Sequence, residues 1–314
     1  MDKIAFLFPG QGAQYVGMAK DLYDSHPEVK ELYLTAEKIL GSDLAKICFE
    51  GPSELLVQTR YTQPAIFTHS VALWTLLKEQ KLEPAFTAGH SLGEYSALVA
   101  AGALSFEDGL EAVKVRSLLM QEACEKSKGT MAAIIGLTEK DILSICREAA
   151  SYGIIQPANF NSKDQIAISG ERRAVEMGVE LAKERGAKRA ILLDVAGAFH
   201  SQLMRPAQSE FKQVIDRLDV KKPVIPVVAN VNAEPTVEPS QIKELLTDQI
   251  TMPVLWYQSM ERMHKEGVRN FVEIGPGKVL QGLLKKSFKD TKGIGIDKLA
   301  DLEKFTEMVE VGTI

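Results

Sequence analysis

Cysteine is scarce in this chain: Cys48, Cys124 and Cys146 are the only three among 314 residues, and no two stand as C-x-x-C. That argues against a disulfide framework and against a cysteine-built zinc site, leaving three core or helix-face thiols. Concentrated positive charge is missing as well. Lys and Arg total 37 against 42 Asp and Glu, and no basic run exceeds a few residues, so a nucleic-acid partner is not expected. The N-terminal apolar run at residues 4–8 ends at Pro9-Gly10, far too short for a signal segment or a membrane span. The chain is therefore expected to be cytoplasmic, with no membrane partner. Repeats and low-complexity tracts are absent. A phosphate loop is incomplete: Gly10, Gly12 and Gly17 come without the P-loop lysine and hydroxyl and without G-x-G-x-x-G spacing.

What is present is an ordinary globular composition, 45% apolar and 25% charged, in a chain long enough to bury a sizeable core. Strand-like and helix-like runs alternate, which predicts an α/β fold with a largely parallel sheet. Strands are expected at 4–8, 85–89, 224–229 and 270–274, the last being the final buried strand. Helices are expected at 28–40, 63–79, 106–126, 241–249 and 254–265, with a proline-bearing loop at 230–239. In the middle the order becomes strand 131–137, helix 139–150, strands 154–160 and 165–169, helix 172–185, strand 189–194. This βαββαβ order is the ferredoxin-like pattern. It predicts a small subdomain, residues 126–196, inserted into a discontinuous large domain, residues 1–125 and 197–314.

The chemistry concentrates at Gly89-His90-Ser91-Leu92-Gly93, a G-x-S-x-G elbow between an expected strand and helix. Such a turn pushes the serine hydroxyl out of the backbone, and glycines leave room for the bend. Ser91 then sits at a helix N-terminus, where free N–H groups favour developing negative charge. The pentapeptide alone also fits a serine N-cap between two turn glycines. A nucleophile needs a base, and only five histidines are present. His26 reads as a solvated helix end, His264 as part of a charged helix face, and His69 as a structural residue within a helix. His90 adjoins Ser91, so its ring is directed away from the hydroxyl, which suits packing or orientation. His200 lies beyond the run Ala190-Ile191-Leu192-Leu193-Asp194 and a small-residue loop, ahead of a helix, where α/β proteins place catalytic groups. It is the expected base. Arg116 borders the apolar stripe of its helix, where a long cation needs an anion. Its fork suits a carboxylate; from periodicity alone, a substrate carboxylate and an internal glutamate are equally open. Past the first strand, Phe8-Pro9-Gly10-Gln11-Gly12 lets the backbone approach a ligand, so the amides of Gln11 and Leu92 suit an oxyanion hole.

Together these segments closely resemble the malonyl-CoA:acyl-carrier-protein transacylases, the loading acyltransferases of bacterial fatty-acid synthesis. The resemblance is carried by Phe8-Pro9-Gly10-Gln11-Gly12, Gly89-His90-Ser91-Leu92-Gly93-Glu94, the helix bearing Arg116, Ala158-Asn159-Phe160-Asn161-Ser162, Gly197-Ala198-Phe199-His200-Ser201 and Glu273-Ile274-Gly275-Pro276-Gly277, in family order across nearly the whole chain. It implies an α/β-hydrolase-like large domain carrying a ferredoxin-like small one. It implies Ser91 as nucleophile, His200 as general base and acid, and Gln249 as the residue that orients the histidine in place of a triad acid. Arg116 would grip the malonyl carboxylate, Gln11 and Leu92 would supply the oxyanion-hole donors, and Asn161 would bind substrate. Phe199 resembles the malonyl-selective form of its loop rather than the methylmalonyl-selective one.

The implied reaction moves malonyl from malonyl-CoA onto Ser91 and then to the phosphopantetheine thiol of holo acyl carrier protein, with no metal and no bound cofactor. An acidic carrier implies a basic patch beside the cleft, for which Lys188-Arg189 and Lys285-Lys286 are candidates. The alternative is the same chemistry on a polyketide carrier. A serine thioesterase is disfavoured because Asp194 precedes His200 by only a short loop, in the wrong order. A non-catalytic carrier-binding module is disfavoured because every reactive position is intact.

Overall fold

The computed structural model describes residues 3–80 and 82–314. Its strands, in chain order, are β1 (Lys3–Phe8), β2 (Phe86–Gly89), β3 (Gly129–Ile135), β4 (Ile155–Ser162), β5 (Gln165–Glu171), β6 (Arg189–Leu192), β7 (Val227–Val228), β8 (Pro235–Thr236), β9 (Val268–Ile274) and β10 (Lys292–Ile296). The larger sheet runs β10-β9-β1-β2-β7-β8, parallel from β10 to β7 and antiparallel only at the β8 edge. A strand covered on both faces must be apolar on both, and residues 5–8 of β1 are buried without a break. Alternation along the strand then divides the core. Phe6 and Phe8 enter one cluster with Val71 and Leu92, while Ala5 and Leu7 enter another with Trp256, Met260 and Leu280.

The smaller sheet runs β4-β5-β3-β6 and is antiparallel throughout. Two amphipathic helices, Glu139–Ala149 and Arg172–Glu184, cover it, with Ile142, Ile145, Val175 and Val179 packed on Ile134 and Ile168. This is the ferredoxin-like arrangement expected from the element order. β4 is also stitched to the larger body. Phe160 N donates to Val254 O at 2.9 Å, and Val254 N donates to Ala158 O at 2.9 Å. Gln156 Nε2 donates to His200 O at 3.1 Å and to Thr251 O at 3.0 Å, so the small sheet holds the loop that carries His200.

Three expectations are corrected in the C-terminal third. The strand at 224–229 shrinks to β7, with Val224 83% exposed. The stretch 230–239 is not only loop, because β8 forms within it and pairs with β7. The strand at 270–274, found as β9, is not the last: β10 follows on the edge of the sheet. The Lys292-Gly293-Ile294-Gly295-Ile296 run hides β10, since glycine weakens a strand signal. A Cβ on Gly295 would have to push aside the end of the Gln281 side chain, which bonds Glu273. Among the described residues no helix is long and apolar enough to cross a membrane.

Candidate active site

β2 ends at Gly89, the helix Gly93–Ala100 begins four residues later, and between them Ser91 takes a φ of 51°. The left-handed region costs a non-glycine residue about 1–2 kcal/mol, so neighbours must hold it there. Asn230 does so from the loop after β7. Ser91 N donates to Asn230 Oδ1 at 2.7 Å, and Asn230 Nδ2 donates to Gly89 O at 2.7 Å. The two glycines are sterically required: a Cβ on Gly89 would meet the backbone of Gly93, and one on Gly93 the backbone of Phe8.

Ser91 Oγ lies 2.8 Å from His200 Nε2, and His200 Nδ1 lies 2.8 Å from the Gln249 carbonyl oxygen. A carbonyl only accepts, so Nδ1 carries the ring proton and Nε2 turns its lone pair to the serine hydroxyl. Burial first, and the Arg116 charge second, push the His200 pKa down to about 3. The imidazole is therefore neutral, and free to accept a proton, across the ordinary pH range.

Arg116, on the helix Phe106–Lys126, is 1% exposed. Its Nη1 donates to Gln63 Oε1 at 2.7 Å, and its Nη2 donates to Gln249 Oε1 at 2.8 Å and to Ser91 Oγ at 3.0 Å. The Tyr95 ring lies 5.6 Å from its Cζ, and its buried Nε has no protein partner among the described residues. Every one of these contacts is neutral. Among the described residues the arginines in ion pairs are Arg172, Arg185, Arg262 and Arg269, not Arg116. Of the two readings left open by periodicity, the internal glutamate pair does not form: Glu94 Oε2 accepts from Gln249 Nε2 at 2.6 Å instead.

A cleft of about 250 Å³ opens over this group, lined by Gln11, Ser91, Leu92, Arg116, Phe199 and His200 from the larger body. Met131, Asn161 and Ala167 line it from the smaller sheet. Among the described residues neither Gln11 N nor Leu92 N donates to a protein group, whereas Ser91 N is taken by Asn230. Asn161 Oδ1 accepts from His90 Nε2 at 2.8 Å, and the His90 ring packs against Trp256 with centroids 5.4 Å apart. His90 is thus turned from Ser91 and braces the cleft wall. His69 is structural, its Nε2 bonded to Asp297 O at 2.8 Å. Lys188, Arg189, Lys285 and Lys286 are exposed, and Lys286 Nζ donates to the cleft-lining Gln165 at 3.1 Å. Among the described residues no group of three His, Cys, Asp or Glu is placed to hold a metal.

Sequence reasoning missed Gln63, Glu94 and Asn230 as parts of this constellation. Gln63 and Glu94 lie on helices, and Asn230 lies in a loop without periodicity. Only Glu94 carried a signal: an acid one residue past the second elbow glycine that turns out to be 3% exposed.

Residues 5–306 match the model of the acyl transferase domain family. A relative from Bacillus subtilis (strain 168), named malonyl CoA-acyl carrier protein transacylase, is 47% identical over 304 residues, 96% of each chain. An acyl carrier protein S-malonyltransferase from Vibrio cholerae superposes with a TM-score of 0.93 at 43% identity, covering 96% of this chain and 99% of its own. A malonyl-transacylase solved in complex with a type II PKS acyl-carrier protein gives a TM-score of 0.94 at 39% identity, over 97% of this chain and 99% of that one.

Proposed function

The chain belongs to the acyl transferase domain family, and from that premise we propose that it transfers malonyl from malonyl-CoA to the phosphopantetheine thiol of holo acyl carrier protein, through an ester on Ser91. The observation that carries this reading is Arg116. A guanidinium 1% exposed, bonded to the nucleophile oxygen and otherwise to neutral groups, is costly until an anion meets it. The free carboxylate of a malonyl group is such an anion, and it arrives attached to a thioester. The relatives' names, malonyl CoA-acyl carrier protein transacylase and acyl carrier protein S-malonyltransferase, support both substrates.

In the first step Ser91 Oγ attacks the thioester carbonyl while His200 Nε2 takes its proton. The Gln11 and Leu92 amides receive the oxyanion, the C–S bond breaks, and the imidazolium returns the proton to the CoA sulfur. The carrier thiol then gives its proton to Nε2, attacks the ester, and releases Ser91 as the alcohol. Gln249 orients the base through its main-chain carbonyl; its side chain serves Arg116. Phe199 and Asn161 shape the wall against which the acyl and pantetheine groups lie. We assign residues 126–196 to the small subdomain and residues 1–125 and 197–314 to the large one. The cytoplasm, where CoA thioesters are made, is the location that fits.

Mixing the protein with malonyl-CoA should add one malonyl mass, which Ser91→Ala abolishes; an adduct persisting in that variant overturns the nucleophile assignment. A polyketide carrier is the second reading, favoured by the relative solved with one. Transfer rates to a fatty-acid and a polyketide carrier decide between them.

A further inference from the structure

We propose that Glu94 is a positioning residue for this acyl transfer: its buried carboxylate fixes which way the Gln249 amide faces, and the amide in turn aims Arg116 at the nucleophile. The inference rests on the transfer reading above. It concerns a residue that touches neither the acyl group nor the thiols.

Glu94 occupies the first turn of the helix Gly93–Ala100 and is 3% exposed. A carboxyl group in such a place is costly unless its oxygens are used. Oε2 accepts from Gln249 Nε2 at 2.6 Å and, at 3.4 Å, from Asn230 N. The two ends of a glutamine amide are chemically distinct, one donating and one accepting. With the donor end bonded to Glu94 and to Ser91 O at 3.0 Å, the acceptor end faces Arg116 Nη2 at 2.8 Å. The second proton of Nη2 then points to Ser91 Oγ at 3.0 Å. A reversed amide would set N–H against N–H at the guanidinium. Gln63 would then hold the planar fork at one corner only, about which it can pivot.

An amide between acid and guanidinium has a further effect. It orients the cation without a direct ion pair, so the charge of Arg116 stays available to a substrate carboxylate. The titratable groups that face Glu94 are Arg116 from the helix Phe106–Lys126 and Tyr95 beside it on its own helix. Burial pushes the Glu94 carboxyl up to about 7. Its protonated form still has an oxygen that accepts, so the orientation survives that titration.

The test compares Glu94→Met with Glu94→Gln, side chains of similar length of which only glutamine carries an oxygen to accept from Gln249, the methionine sulfur being a weak acceptor. Loading of Ser91 is timed by rapid quench and intact mass with malonyl-CoA and with acetyl-CoA, after thermal melts confirm folding. Glu94→Met should lose about tenfold of the malonyl-over-acetyl preference, while Glu94→Gln stays within about twofold of the parent. Glu94→Ala replaces the methionine variant if that one does not fold. Equal losses with both donors, or the same loss of preference in both variants, overturn the positioning role and leave Glu94 a packing residue. A parent protein that takes no malonyl at Ser91 overturns the transfer reading itself, and this inference with it.

Discussion

Arg116 and His200 share one oxygen, Ser91 Oγ, at 3.0 Å and 2.8 Å, and each affects how the other behaves. Removing the guanidinium in Arg116→Ala should cost malonyl transfer about 2–4 kcal/mol of transition-state binding and acetyl transfer much less. Equal losses in kcat/KM for the two donors would make Arg116 structural. The histidine supplies a pH prediction whose sign is fixed by burial. Protonation destroys the base, so activity falls as pH falls, but with the pKa held down to about 3 the fall lies well below the usual histidine range. A malonyl carboxylate on Arg116 cancels the second of the causes that depress His200, so the pKa rises in the complex. The acid limb of kcat should therefore lie at higher pH than that of kcat/KM, since the latter reports the free enzyme. Loading rates followed from pH 8 down to about 3 check this, and an acid limb of kcat/KM near 6.5 would contradict it.

At the scale of elements, the helix Val279–Ser287 depends on a residue outside it. Its N-terminal residue makes no side-chain cap, and Glu273, fully buried at the end of β9, does the work instead. Oε1 accepts from Leu280 N at 3.0 Å, and Oε2 accepts from Gln281 N and from Gln281 Nε2, both at 3.0 Å. Because Leu280 and Leu283 of this helix line the cleft, the cap also fixes part of the wall. Glu273→Ala should lower stability by about 2–3 kcal/mol, one buried and one half-buried amide being left without acceptors. Urea denaturation measures it, and a change under about 0.5 kcal/mol would show that water replaces the carboxylate. Elements of this kind divide by legibility. β1, β2 and the helix Phe106–Lys126 announce themselves because their own side chains make the core. β8 and β10 do not: they are two and five residues long, proline- or glycine-bearing, and pair on an edge that a neighbour offers, while β7 keeps only the two buried valines of the strand expected at 224–229.

Across the whole molecule the same division separates the legible half of the site from the rest. Ser91, His200 and Arg116 stood out because each breaks a local pattern: a hydroxyl between glycines, an imidazole past a strand, a cation beside an apolar stripe. Gln63, Glu94 and Asn230 break none, and their contacts at the site arise only when distant segments meet. A place for Gln249 at the site was legible only through family resemblance, and that its main-chain carbonyl accepts from His200 was not legible at all. The two ends of the Ser91–His200 bond are 109 positions apart in the chain, and Gln249 lies 49 beyond the histidine. During synthesis, then, the hydroxyl leaves the ribosome long before His200 and the Gln249 carbonyl bonded to it. On the proposed mechanism, a nascent, truncated or half-refolded chain keeps the serine but lacks the histidine that would take its proton. On that mechanism, acylation at Ser91 would then report completed folding, and the fraction of chains that accept malonyl in one turnover should count the native ones.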